Sequence, residues 1–140
     1  MDTLLVIHSH NRNLVVLVLV VALAKLLWNV LRSLPFGRSE LLLLRLNAAL
    51  LTVQFLLGIA LFVTVGSTAS WDMSVLRHQF EHAFTMILAL GCAHMAPTVR
   101  KREESVRNKR ALILVLLSLV LVLVGVAQLR GWAFWMGGAQ

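Results

Sequence analysis

Four apolar runs, each close to the roughly 20 residues a helix needs to cross a bilayer, constrain this chain more than any other feature. They lie at about Leu14–Leu31, Leu46–Val65, Phe80–Val99 and Ala111–Leu129, and polar or basic blocks close each one. With 59% apolar residues and a mean hydropathy of +0.85, the chain lies well beyond the roughly half-apolar usage of a water-soluble domain. Its charged residues, 14% of the total, fall in blocks and do not alternate with apolar ones as on a solvated surface. The expected fold is all-α: a four-helix transmembrane bundle, up-down-up-down, forming a single membrane domain over residues 1–140.

The runs differ in character. The first holds one charge, Lys25, whose stem can carry its ammonium to the near interface, and Arg32, Pro35 and Gly37 stop it. The second carries Asn47 and Gln54 and ends at Gly66-Ser67-Thr68. The third is the least hydrophobic, with Glu81, His82 and His94 toward its ends and Pro97 near its exit, so it is expected to face protein. The fourth is nearly all Leu and Val, with Ser118 and Gly125 as small exceptions, and reads as a packing helix.

Orientation follows from Lys and Arg. The first and third loops with their flanks hold Lys25, Arg32, Arg38, Arg45, Arg100, Lys101, Arg102, Arg107, Lys109 and Arg110, ten residues against the three of the other side, Arg12, Arg77 and Arg130. Ten against three puts both basic loops in the cytoplasm of a bacterial inner membrane and both termini outside. Trp71, Trp132 and Trp135 then fall at the outer interface and Trp28 near the inner one. The opening MDTLLVIHSHNRN lacks the basic start and cleavage site of a signal peptide, so the first span is expected to be retained.

Several function classes drop out. A net charge of +7 would suggest nucleic acid in a soluble protein, but here the membrane accounts for the basic residues. The basic loop Arg100–Arg110 reads as the positive-inside signal, and its rival role is to bind anionic lipid or an acidic partner surface. One cysteine, Cys92, excludes an intrachain disulfide and a CxxCH haem attachment. No nucleophile triad, Walker motif or paired-carboxylate site is present, so no independent catalytic activity is expected.

The histidines remain. His8, His10, His78 and His82 fall near the outer face with Arg12, Asp72, Arg77 and Glu81, whereas His94 lies toward the inside. His78 and His82 are four apart and share a helix face, as do Arg77 and Glu81. One reading is an exposed first turn; the sharper one pairs Glu81 with Arg77 or Arg12 and turns His82 into the bundle. Imidazole there can ligate haem iron, zinc or copper. His82 and His94 stand roughly 18 Å and about 120° apart on an ideal helix, too far to share one iron. His8 or His10 can approach His82 across the bundle, and in the His8-Ser9-His10 triplet both rings point the same way only in an extended segment. Gln54 and Gly58, one turn apart, suit a bond across an interface and the close approach of a backbone or flat cofactor, or helix packing alone.

Taken in order, His8-Ser9-His10-Asn11-Arg12, the Gln54-to-Gly58 stretch, the Arg77, Glu81 and His82 group and the Gly91-to-His94 end resemble a family of short bacterial four-helix membrane proteins often labelled cytochrome b-like. The likeness covers most of the chain. It implies a haem-binding bundle with His8 or His10, His82 and His94 as ligand positions. Where the family pattern is expected to carry a histidine two residues before the helix-two glutamine, this sequence has Thr52, which cannot ligate haem. That histidine would partner His94, so the expectation is one haem b, at the outer site.

Three functions compete. The first is a small haem b protein that transfers electrons near the outer face, using His82 with His10 or His8, supported by Arg12, Arg77, Glu81, Gln54 and Gly58. The second is a non-catalytic accessory subunit packed in the lipid bilayer against a larger respiratory or photosynthetic complex. The third is an outer-face zinc or copper site built from His8, His10, His78 and His82.

Overall fold

A computed structural model describes residues 2–131. Helix α1 spans Asp2–Leu31, α2 Arg38–Thr68, α3 Met73–Met95 and α4 Glu104–Arg130, with a short 3-10 helix at Ala96–Lys101 between the last two. All four are long and apolar enough to cross a membrane, the build of a multi-pass membrane protein, and the span containing α3 has the lowest mean hydropathy, 1.3. Trp132 and Trp135 lie outside the described residues.

The helices start well before the apolar runs do. α1 takes in the whole His8–Asn13 stretch, α2 begins eight residues and α4 seven residues ahead of the hydrophobic onset. Hydropathy marks what lipid requires, whereas the hydrogen-bonded helix continues for as long as its polar residues find partners. At α2 the Gly37 N–H donates to the Glu40 carboxylate at 2.9 Å, occupying a donor that the helix start leaves over. At α3 the Asp72 carboxylate accepts from the Ser74 hydroxyl at 2.7 Å and from the Ser74 N–H at 2.8 Å, and these bonds hold its pKa below the ordinary value.

Inward-facing residues recur at alternating intervals of three and four. The seam is Val15, Leu19, Ala22, Leu26 and Asn29 on α1; Glu40, Leu44, Asn47, Leu51 and Gln54 on α2; Asn108, Ala111, Val115, Ser118 and Val122 on α4. This is the heptad register by which near-parallel helices interdigitate. Each helix packs against its neighbours in sequence and α1 closes against α4, which leaves α1 and α3 diagonal, with no close backbone approach. Along α3 and α4 the seam is small, with Ala89, Ala93, Ala111 and Ser118 buried, so the two backbones approach closely and the Ser118 hydroxyl donates to the Ala89 carbonyl at 3.2 Å.

Polar side chains gather at the two ends of the seam. At one end Glu40, 4% exposed, accepts from Asn29 Nδ2 at 2.9 Å and pairs with Lys25 Nζ at 3.4 Å, and Asn108 donates to the Leu34 carbonyl at 2.7 Å. Lys25 is therefore held by a carboxylate of the next helix instead of only reaching for the interface. The other end carries His8, Asn11, Gln54 and His82.

Candidate functional site

A cavity of about 590 Å³ opens at that second end, within the roughly 300–1,000 Å³ range of cofactor and ligand sites. All four helices line it: His8, Ser9 and Arg12 from α1, Gln54, Phe55, Gly58 and Phe62 from α2, Gln79, His82 and Met86 from α3, Val122, Val126 and Arg130 from α4. The two histidines come from the diagonal pair of helices, so they reach the cavity from opposite sides of the bundle.

Each ring rests against a glycine. A Cβ on Gly58 would stand 3.5 Å from His8 Cε1, and one on Gly125 would stand 3.4 Å from His82 Nδ1 and 3.0 Å from Met86 Sδ. Gly58 belongs to α2 and Gly125 to α4, so each neighbouring helix presents a glycine against which one imidazole packs.

The hydrogen bonds fix both tautomers. His82 Nδ1 lies 2.6 Å from the Gly125 carbonyl oxygen; a carbonyl only accepts, so Nδ1 carries the proton and Nε2 the lone pair. The His8 tautomer is set through two further residues. Asn11 Nδ2 donates to the Leu50 carbonyl at 3.1 Å and to Gln54 Oε1 at 2.8 Å. Gln54 therefore turns its amide nitrogen to His8 Nε2, at 2.9 Å, and that nitrogen must accept. The proton of neutral His8 then sits on Nδ1, which is buried with no partner among the described residues. Both imidazoles thus present Nε2 as their only basic atom.

Charge at the cavity is one-signed. Arg12 and Arg130 line it and no carboxylate does among the described residues. Glu81, the nearest acidic residue in sequence to His82, accepts from Arg77 Nε at 2.9 Å and lies 3.3 Å from His78 Nδ1. An apolar cavity bordered by two guanidiniums favours an occupant with acidic groups at one edge.

The other candidates stand elsewhere. Because the segment is helical, His10 diverges from His8: it is exposed, and its Nδ1 donates to the Val6 carbonyl of its own helix at 2.8 Å. His78 is exposed beside Glu81. His94, at the far end of α3, is exposed with its Nε2 2.9 Å from Thr52 Oγ1, so the two positions singled out for an inner site do meet, without a second histidine. Among the described residues no three His, Cys, Asp or Glu side chains converge as a metal donor set. Met86 belongs to the site although no sequence feature singles it out, Asn11 stands in the His8-to-Arg12 stretch with no role of its own assigned there, and Arg130 counts in the sequence only as an orientation charge. A helix drawn from Asp2 would have placed Asn11 one turn from His8, and that is the signal that was available.

Compared with known protein families, curated proteins and solved structures, the chain matches none.

Proposed function

We propose that this protein is a small haem b protein of a bacterial cytoplasmic membrane, holding one haem between His8 and His82 and passing single electrons near the outer face. The observation that carries the reading is the diagonal histidine pair: two imidazoles on opposite helices, each with its proton on Nδ1 and its lone pair on Nε2, lining one cavity. Nε2 is the basic atom through which each ring would ligate iron, and a carbonyl bond at Nδ1, as His82 has, orients a ligating ring and raises its basicity.

The remaining residues fit the same occupant. Gly58 and Gly125 pack against the rings, Phe55, Phe62, Val122 and Val126 supply apolar walls, and Arg12 and Arg130 suit the two propionates that haem b carries at one edge. Ligation by His8 requires Gln54 to release Nε2. Bound haem supplies a one-electron couple, and the apolar, positively bordered cavity bears on its potential.

The bundle crosses the membrane up-down-up-down with both termini outside. The pairing of His8 with Gln54 and of Asn29 with Glu40 supports this order for α1 and α2, and the ten-to-three distribution of Lys and Arg supports the direction.

The test is the reduced-minus-oxidised absorption spectrum of protein purified in mild detergent. A Soret shift and a sharp α-band, lost in His82→Ala, are expected. Colourless protein from haem-replete cells, recovered only together with a larger complex, would replace this reading with the accessory-subunit one.

A further inference from the structure

At the end of the bundle away from His8 and His82, an outward groove of about 360 Å³ runs between the α3 exit and the start of α4. Its walls are Met95, Val99, Ile113 and Leu114, and Arg102 and Arg110 line it with them. Met95 and Ile113 are 51% and 57% exposed, so the apolar walls face whatever surrounds the bundle.

Neither arginine forms an ion pair among the described residues, although Glu103 and Glu104 follow Arg102 directly. The contact made there is to backbone: Arg107 Nε donates to the Arg102 carbonyl at 2.8 Å. Pro97, at the start of the 3-10 segment, comes where α3 gives way to the tighter helix that carries Val99 down to Arg102. Apolar walls and guanidiniums therefore share one groove.

We propose that this groove binds an anionic phospholipid, its phosphate held by Arg102 and Arg110 and an acyl chain lying along Met95, Ile113 and Leu114. Charge complementarity selects the headgroup and the exposed apolar walls select the chain. An acidic protein approaching from the water would meet the arginines but leave Met95 and Ile113 uncovered. The inference rests on the helices crossing a bilayer and is independent of what the histidines hold.

The test uses the full chain, delipidated in a non-ionic detergent and titrated with short-chain phosphatidylglycerol or phosphatidylcholine, with retention read by native mass spectrometry. Phosphatidylglycerol is expected to bind about tenfold better, and R102Q and R110Q to weaken it about fivefold each. I113W, which fills the groove without touching charge, should weaken both lipids. R38Q and R45Q, basic residues of the other loop, should change nothing, and the melting temperature of each variant reports that it folds. Equal binding of the two lipids, or equal effects of R38Q and R110Q, would overturn the proposal. So would displacement of the lipid by millimolar inorganic phosphate, which needs no groove, or loss of an acidic partner in R102Q with lipid retention unchanged.

Discussion

His82 donates through Nδ1 to the Gly125 carbonyl at 2.6 Å, and its ring lies against that same glycine, where an added Cβ would stand 3.4 Å from Nδ1. One residue of α4 thus orients the imidazole and packs against it. Gly125→Ala should be close to neutral for stability, because the Met86 thioether 3.0 Å away is flexible and alanine gains about 1 kcal/mol of helix propensity. Gly125→Val should push His82 off its carbonyl. Haem retention is then expected to fall by about tenfold, the low end of what a lost ligand-orienting bond costs, with the far-ultraviolet circular dichroism of the wild type. Wild-type retention in the valine variant would show that His82 does not depend on this contact.

The Asn11, Gln54 and His8 chain behaves as a unit. Gln54→Leu removes the Gln54 acceptor from the half-buried Asn11 amide, which keeps the Leu50 carbonyl, and the Gln54 donor from His8 Nε2, and should cost about 1–3 kcal/mol in detergent unfolding. Adding Asn11→Leu should recover part of that loss, since the donor left over is then removed too. Strict additivity of the two substitutions would mean that the three side chains do not act together.

Trp71 lies over Gly66 in the turn between α2 and α3, with φ of 59°, a left-handed conformation uncommon for a bulky residue. Its N–H donates to the Gly66 carbonyl at 2.9 Å, and its ring stands 6.0 Å from that of Phe62, which lines the cavity. A Cβ at position 66 would run into the ring. Gly66→Ala is expected to lower stability by about 1–3 kcal/mol, and the loss should shrink in a Trp71→Ala background. An equal loss in both backgrounds would rule out the ring as its cause.

Glu40 serves Asn29, Lys25 and the Gly37 N–H at once. Glu40→Ala should cost about 1–3 kcal/mol, chiefly because Asn29 loses the closer of its two acceptors and keeps only Asn108 Oδ1 at 3.5 Å, while Lys25, 42% exposed, turns to water. Lys25→Met should cost less than Glu40→Ala. The reverse order, measured by thermal unfolding, would make the ion pair and not the amide bond the main contribution.

Hydropathy was enough to place four helices and to mark the third as the polar one, because lipid tolerates few other solutions for such runs. It could not place their starts, since residues such as Asn11 and Glu40 stay in the helix by bonding to neighbouring helices, and those partners are distant in sequence. The same lack hid which outer histidine faces inward. His8 and His10 differ only in helical phase, and phase is readable only once the segment is known to be helical. Arg77 as one of the two expected partners of Glu81 was legible from the spacing of four within one helix, and His82 as the inward histidine from its depth in the apolar run, whereas His78, expected on the same face, is exposed. The Glu40, Lys25 and Asn29 cluster was not, because it joins residues of two helices across a turn.

If His8 and His82 complete the cavity for haem, and neither His10 nor His78 does, the four histidines must differ in what their loss removes. Haem content per polypeptide, read from the pyridine haemochrome spectrum of the four single alanine variants purified identically, separates them. About one haem per chain is expected in wild type, His10→Ala and His78→Ala, with a loss of about tenfold or more in His8→Ala and His82→Ala. Full haem content in His8→Ala with loss in His10→Ala would contradict the assignment.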